Sequence, residues 1–237
     1  MSQVSLNEIS LAATQEALTE KINLSNRIAP PSINTISGVD LAYWKKDGCE
    51  YAVCCIVTLD YVTRAVTETK HYIGEIKVPY RPGFLSFREL PLVLGTYALL
   101  EQKPDLLMFD GNGYLHYRHM GIATHAAIEL NTPAIGIAKS YLKISGVDYS
   151  MPENEVGAYT DIVIRGEVYG RVLRTRRDVN PVFVSCGNWF DLDMATEITL
   201  SMITQESRQP LPTRLADISV RSLRSLFLQE HEKDPVN

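Results

Sequence analysis

The stretch that constrains this chain most is Asp105-Leu106-Leu107-Met108-Phe109-Asp110-Gly111-Asn112-Gly113. Residues 105–109 read as a short strand buried on both faces, the kind that open α/β sheets place at their centre. The strand ends on a carboxylate and two glycines. Open α/β sheets hold ligands beyond the carboxyl ends of their strands, where Asp110 falls. Gly111 and Gly113 permit a tight turn and a close approach by another backbone or a ligand. With the segments around it ordered as a β-hairpin meander first and alternating β/α units later, the chain is expected to be α/β.

The flanking segments carry that order. Ile36–Tyr43 and Tyr51–Leu59 read as strands joined by an Asp47-Gly48 turn, and a more alternating strand runs from about Ala65 to Ile76. Ser86 and Glu89 have capping-box spacing at the start of a helix that continues to Leu100, with Pro91 expected in its first turn. A helix over Ile122–Leu130 leads to a second buried strand, Ala134–Ala138, with Lys139 at its end. Residues 158–175 form a hairpin turning at Arg165-Gly166-Glu167, Pro181–Gly187 is a short strand, and Asp191 or Asp193 caps the next helix. The apolar spacing over 6–25 extends an N-terminal helix over 6–28, stopped by Pro30-Pro31. Pro210-Leu211-Pro212 links to a last helix at 215–230, followed by a frayed polar tail. The expectation is a mixed sheet flanked by helices in one domain spanning 1–237.

Composition excludes several classes. The net charge is −5, so any contact with a polyanion must be local, and Arg171, Arg174, Arg176 and Arg177, with Lys143, form the basic cluster. No apolar run approaches the roughly 20 residues that span a bilayer, and no basic segment followed by an apolar run opens the chain, so neither a membrane nor a signal peptide is expected. Cys49, Cys54, Cys55 and Cys186 contain no C-x-x-C pair and read as buried, reduced thiols of a cytoplasmic protein.

Asp40 is the most informative acid. Val39 and Leu41 flank it inside an apolar strand, where a charge is expensive unless it is paired or binds a cation. With Glu89 and Asp110 it makes three carboxylates at neighbouring element ends, an oxygen donor set that suits Mg²⁺. Each has a plainer reading: a salt-bridged acid, a capping residue, a turn former.

At this point the sequence resembles the endonuclease V family. The matching blocks are Gly38-Val39-Asp40, residues 78–89 (Val-Pro-Tyr-Arg-Pro-Gly-Phe-Leu-Ser-Phe-Arg-Glu), Asp110-Gly111-Asn112-Gly113-Tyr114-Leu115-His116, Gly121–His125, Gly136–Ser140, Leu173–Thr175, Val184–Asn188 and Pro212–Asp217. The resemblance implies an RNase H-like fold and a divalent-metal-dependent endonuclease acting on deaminated bases, inosine or deoxyinosine, in DNA repair. It implies that Asp40, Glu89 and Asp110 hold Mg²⁺, with Mn²⁺ able to substitute, and that Lys139 contacts a phosphate near the scissile bond. Pro79, Tyr80 and Pro82 would form a wedge that fills the gap left by an extruded base. The base would enter a pocket lined by backbone amides near Gly83, Gly111 and Ile122, with Gly113 letting it lie against those donors and His116 close to the substrate. The expected partner is inosine-containing DNA, and RNA as a second candidate, bound by a monomer. The alternative is a reader of deaminated nucleic acid that has lost catalysis. The chain departs from the family pattern at Asp217 and Asn188, where many members carry histidine, and at Arg81, an apolar position in the family wedge. Asp217 could add a fourth acid or a base, or weaken activity; Arg81 could add a phosphate contact.

Overall fold

The computed structural model describes residues 6–29 and 32–232, with only the backbone of 6, 7 and 230–232. The elements are α1 (Leu6–Thr19), β1 (Thr35–Lys46), β2 (Cys49–Asp60), β3 (Val66–Glu75), α2 (Leu85–Ala98), β4 (Leu106–Phe109), α3 (Ile122–Leu130), β5 (Ala134–Ala138), β6 (Tyr159–Ile164), β7 (Glu167–Leu173), β8 (Val182–Asn188), α4 (Leu192–Ser201), β9 (Ile203–Thr204), β10 (Ser207–Pro210) and α5 (Leu211–Glu232). Eight strands form one sheet in the order β3-β2-β1-β4-β5-β8-β7-β6, and β9 and β10 pair separately. β1, β4 and β5 are parallel, and the strands outside them are antiparallel. This is the expected RNase H-like mixed sheet flanked by helices. Both hairpin turns fall as read: Asp47 and Gly48, and Arg165 and Gly166, have the paired positive φ of the turns that suit a twisted ribbon.

The strand period sorts the core into two layers. Ile36, Ala42, Trp44, Leu106 and Met108 face α4 and α5, meeting Ala195, Ile198, Met202, Ala216 and Val220. Val39, Leu107 and Phe109 face α2 and α3, meeting Leu90, Leu92, Val93, Ile122 and Ala126. Asp40 and Asp110 share the even-numbered parity of the α5 side.

The approach of α5 depends on Gly38. A Cβ there would lie 1.9 Å from the Pro212 carbonyl oxygen, so the first turn of α5 rests directly on the β1 backbone. Gly38→Ala is expected to cost about 2–3 kcal/mol by overpacking and to lower the melting midpoint by about 5–10 °C. A calorimetric midpoint equal to wild type would show that α5 does not rest there.

Several element ends differ from expectation. α1 stops at Thr19 rather than 28, because the segment after it is pinned by tertiary contacts: Asn23 N–H donates to Asn188 Oδ1 at 2.6 Å, and Asn26 bonds Asp191. Ser86 is not an N-cap. α2 begins at Leu85 behind Phe84, which makes no side-chain cap bond, and Ser86 Oγ instead meets His125 Nδ1 at 3.0 Å. Gly83, at φ +81°, has already turned the chain into the helix. Pro91 therefore lies inside α2 rather than in its first turn, on an exposed face. α5 begins at Leu211, four residues early, with Pro212 accommodated in the first turn where its missing N–H is not needed. Asp191, not Asp193, caps α4, accepting from Met194 N–H at 2.7 Å. All four cysteines are free thiols; Cys54, Cys55 and Cys186 are buried and Cys49 is half-buried. Pro30-Pro31 and the end of the polar tail lie outside the described residues. Among the described residues no helix is long and apolar enough to cross a membrane.

Candidate active site

The parallel register of β1 and β4 builds the centre of the site. Val39 pairs with Phe109, and Asp110 N–H donates to Val39 C=O at 3.1 Å. Asp40, midway along β1, and Asp110, just past the end of β4, are the next residues on each strand, so their side chains leave the sheet side by side. α5, seated on Gly38, adds Asp217 from the same face. One carboxylate oxygen from each of Asp40, Asp110 and Asp217 lies within 4.8 Å of the others. At that separation each pair of like charges repels by roughly 3 kcal/mol at an effective dielectric of about 20. The cluster therefore needs cations or protons.

Lys139 supplies one cation. β5 ends beside β4, and Lys139 Nζ sits 2.5 Å from Asp110 Oδ2 and 3.1 Å from Asp217 Oδ1. Arg208 Nη2 donates to the Lys139 carbonyl at 3.2 Å, Gln209 Nε2 reaches Asp110 Oδ2 at 3.4 Å, and Arg221 Nη2 pairs with Asp217 Oδ1 at 2.9 Å. The side chains of Asp110 and Asp217 are only 11% and 14% exposed, but Lys139 is 34% exposed, so the cluster opens to solvent on the lysine side. The donor set is all carboxylate oxygen, hard and anionic, which fits a hard divalent cation and not a thiophilic one.

Glu89 stands back from the three aspartates. It comes from α2, on the opposite face of the sheet, and accepts a hydrogen bond from the Tyr43 hydroxyl. The Arg88 guanidinium lies over the Tyr43 ring, 4.7 Å from its centroid, pairs with Glu50 at 2.6 Å, and donates to the Val78 carbonyl at 3.1 Å. The acids thus straddle the sheet edge: Asp40, Asp110 and Asp217 on one side, Glu89 on the other. The sequence nominated Asp40, Glu89 and Asp110; the tight group substitutes Asp217 for Glu89.

Protonation follows the crowding. Burial, then the Asp110 charge, pushes Asp40 up to about 8. Burial pushes Glu89 up to about 7, partly offset by the Tyr43 hydroxyl and Arg88. Burial also raises Asp110, against the pull of Lys139. For Asp217 the burial effect is outweighed by Lys139 and Arg221, and its carboxyl stays below the usual range. Raised carboxyls stabilise the fold below their ordinary values of 3.8 and 4.5, and that stability is lost as pH rises toward about 8 and 7. Asp217 works in the opposite sense, but its contribution is already complete above the ordinary carboxylate range. The metal-free protein is therefore expected to melt at progressively lower temperature from pH 5 to pH 8. A divalent cation should reverse the trend and displace protons into the buffer. Midpoints that climb over this window, or calorimetry showing no proton release on metal addition at pH 7, would contradict the assignment.

The reading side lies at the next loops. Pro79, Tyr80 and Pro82 are exposed, Tyr80 to 66%, at the tip of the stiff loop before α2. Gly83 follows, its carbonyl accepting from Gln15 Nε2 at 3.0 Å and Arg118 Nη2 at 3.2 Å. Gly111 packs on Ile122: a Cβ there would meet Ile122 Cγ2 at 2.7 Å. Gly111 N–H donates to Ile137 C=O at 3.2 Å and Gly113 N–H to Ser185 Oγ at 2.9 Å, so neither amide is a spare donor. Ile122 begins α3, where helices leave N–H groups unbonded. His116 is buried and pushed down to about 3 by burial and Arg118, so it is neutral. Its Nδ1 accepts from Arg118 N–H at 3.2 Å and Met120 N–H at 3.3 Å. It shapes the loop ahead of α3 rather than facing outward.

Three readings of charged or polar residues change. Arg171 pairs with Asp161 at 2.8 Å and Asp193 at 2.6 Å, and Arg174 is buried against the carbonyls of Pro152, Glu153 and Val179, so these two hold loops instead of tracking phosphates. Arg81 pairs with Glu8 of α1. Asn188 is fully buried, accepting from Asn23 N–H and donating to the Lys21 carbonyl at 3.2 Å; it clamps the chain after α1 to β8 and has no place among the acids. Sequence reading passed over Gln15, Tyr43, Arg118 and Gln209. Tyr43 carried a signal, being a hydroxyl three residues after Asp40; a glutamine in α1 carried none.

Comparison with known proteins bears on this arrangement. A family model described as Endonuclease V matches residues 16–218. Endonuclease V of Bacillus subtilis is 60% identical over 214 residues, covering 90% of each chain. A crystal structure of the Bacillus subtilis endonuclease V superposes with a TM-score of 0.91 at 56% identity, covering 97% of this chain and 96% of that one. Ciona intestinalis endonuclease V, in complex with a 24mer DNA containing an inosine followed by a ribo-adenosine, superposes with a TM-score of 0.84 at 26% identity, covering 94% and 100%.

Proposed function

The chain belongs to the endonuclease V family, and from that premise we infer that it is a divalent-metal-dependent endonuclease which recognises deaminated bases and hydrolyses a phosphodiester bond 3′ to the lesion in DNA repair. The observation that carries this is the gathering of Asp40, Asp110 and Asp217 with Lys139, just beyond the carboxyl end of β4 and beside the middle of β1. The relative from Ciona intestinalis was crystallised on inosine-containing DNA, and inosine or deoxyinosine is the lesion assigned to this chain. Inosine-containing RNA is the second candidate substrate. The cation is Mg²⁺, replaceable by Mn²⁺, and the protein works as a monomeric single domain in the cytoplasm.

Asp40 and Asp110 would hold the cation, with Glu89 as a third ligand and Asp217 adding charge from α5. A bound divalent ion would activate water and neutralise charge on the leaving oxygen. Lys139, paired with Asp110 and Asp217, would offer its ammonium to the phosphate where negative charge grows. The rigid Pro79-Tyr80-Arg81-Pro82 tip presents one exposed ring to fill the gap left by the base. Gly83 and the first turn of α3 at Ile122 flank the base, whose O6 accepts where the adenine amino group donates. Main-chain N–H groups then separate the two. Gly111 and Gly113 shape this pocket by their lack of side chains, and His116 supports its wall.

The test is cleavage of inosine-containing oligonucleotides, DNA and RNA, single- and double-stranded, with Mg²⁺ or Mn²⁺ and with chelator. Metal-dependent cutting of inosine strands and sparing of unmodified ones is expected; uncut inosine strands under all conditions would refute the reading. Tyr80→Ala should slow duplex cleavage by about 10- to 100-fold and single-strand cleavage far less, since only the duplex needs a few kcal/mol of unstacking. Equal losses on both would remove Tyr80 from the wedge role.

A further inference from the structure

α1 is attached to the protein in an unusual way. A surface helix ordinarily buries an apolar stripe. Among the described residues of α1, the one that is buried is Gln15, at 0% exposure, while Ile9 is 56% exposed. The helix is seated by a polar side chain.

That side chain commits three of its four hydrogen-bonding positions to two loops. A glutamine amide has two N–H donors and a carbonyl acceptor with two lone pairs. Nε2 donates to Gly83 C=O at 3.0 Å and to Met120 C=O at 3.3 Å, and Oε1 accepts from Arg118 Nε at 2.6 Å. Only one orientation of the amide serves, because both carbonyls can only accept and the guanidinium can only donate. Arg118 also donates to Gly83 C=O at 3.2 Å and lies over the Phe84 ring at 4.6 Å. Gly83 ends the Tyr80 loop, and Met120 immediately precedes Gly121, the N-cap of α3. One amide nitrogen thus bridges the loop that carries Tyr80 and the loop that delivers the Ile122 N–H, beside the direct Arg118–Gly83 bond.

We propose that Gln15 is a positioning residue for base recognition, its side-chain amide setting the width of the pocket between Gly83 and the start of α3. The inference rests on the reading of those two segments as the walls around the extruded base. Gln15 belongs to no part of the metal cluster, so its loss acts on the choice of base and leaves the hydrolytic step alone. This makes α1 part of the specificity apparatus, with the Arg81–Glu8 pair as its second tie to the same loop.

The test uses Gln15→Met, which keeps length and removes all three bonds, and Gln15→Glu, which keeps the acceptor for Arg118 but sets a carboxylate against two carbonyls. Steady-state cleavage of inosine and unmodified duplexes, metal-free binding of both duplexes by fluorescence anisotropy, and Mn²⁺ affinity by calorimetry are measured together. Gln15→Met should raise KM for the inosine duplex and shrink the binding preference for inosine by about tenfold, the scale of one or two lost hydrogen bonds. kcat and Mn²⁺ affinity should stay at wild-type values, and Gln15→Glu should be at least as impaired as Gln15→Met. Should the position 15 variants fail to fold, Arg118→Met removes the partner that orients the amide and should give a smaller loss of the same kind. Folded variants that keep the wild-type preference, or that lose kcat with KM unchanged, overturn the proposal. Gly83→Ala separates the two layers of the argument. If it leaves base preference intact, the pocket reading fails and takes this inference with it. If it abolishes the preference while Gln15→Met does not, only the role of Gln15 falls.

Discussion

Asp110→Asn should cut inosine-containing DNA at least ~10³-fold more slowly than the wild type while still binding it. Several kcal/mol of transition-state stabilisation depend on a cation held at this carboxylate, and each 1.36 kcal/mol is about a tenfold change in rate. The substitution keeps the shape of the side chain and its place after Phe109. It removes a charge that lies 2.5 Å from Lys139 and within 4.8 Å of the Asp40 and Asp217 carboxylates. Two measurements check it: single-turnover cleavage, and anisotropy binding of the same duplex. Cleavage within tenfold of wild type would mean that Asp110 is the turn former its neighbours Gly111 and Gly113 also allow. Loss of binding together with cleavage would instead mean that the turn had collapsed.

The second large effect is expected at Asp217. Asp217→Asn should weaken metal affinity by about 10- to 100-fold, the range seen when groups supporting a metal's ligands are removed, and slow cleavage in proportion at limiting Mn²⁺. The asparagine cannot pair with Lys139 at 3.1 Å or Arg221 at 2.9 Å as an anion. Lys139 would then lean wholly on Asp110 and resist displacement. Asp217→His, the residue many family members carry there, should retain cleavage to within about tenfold at saturating metal, because imidazole can still orient water or ligate a cation. A Mn²⁺ titration of cleavage in which Asp217→Asn overlays the wild type would place Asp217 outside the site. A dead Asp217→His would show that α5 needs a carboxylate at this position.

Residue 217 also shows where reading the sequence stopped. Asp40 and Asp110 could be nominated because a charge inside an apolar strand and a charge before a glycine turn are both legible as local anomalies. Asp217 is not anomalous where it stands, following an alanine on an amphipathic helix; only the family resemblance marked it, as a fourth acid or a base, or a weakening change, in place of a histidine. What brings it to the cluster is the contact of Pro212 with Gly38, between residues 174 positions apart, and no periodicity announces that. Glu89 shows the limit of a local pattern. Its spacing from Ser86 suggested a cap, but the side chain turned inward to Tyr43 once Gly83 had started the helix early. The basic cluster loses two members for a related reason. Arg171 and Arg174 look like a cationic strip in one dimension, yet their strand buries them beside Asp161 and the carbonyls of the neighbouring loop.

The sequence by itself determined the element types, the hairpin turns, the buried parallel strands and two of the acids, because these depend on interactions a few residues long: alternation, turn chemistry, a glycine's positive φ. It also determined the family, through blocks of residues in a fixed order. Only the tertiary structure decided which acids share a cation, which arginines are already committed, that Asn188 is a clamp, and that Gln15 joins the two loops of the reading side. The acids, the clamp and the Gln15 bridge rest on contacts between distant segments, set by the β1–β4 register and by helices packing on opposite faces of one sheet, and the arginines on the folding of nearby loops back onto them. A charge or an amide is visible in a sequence, but its partner is fixed only when the chain has closed around it.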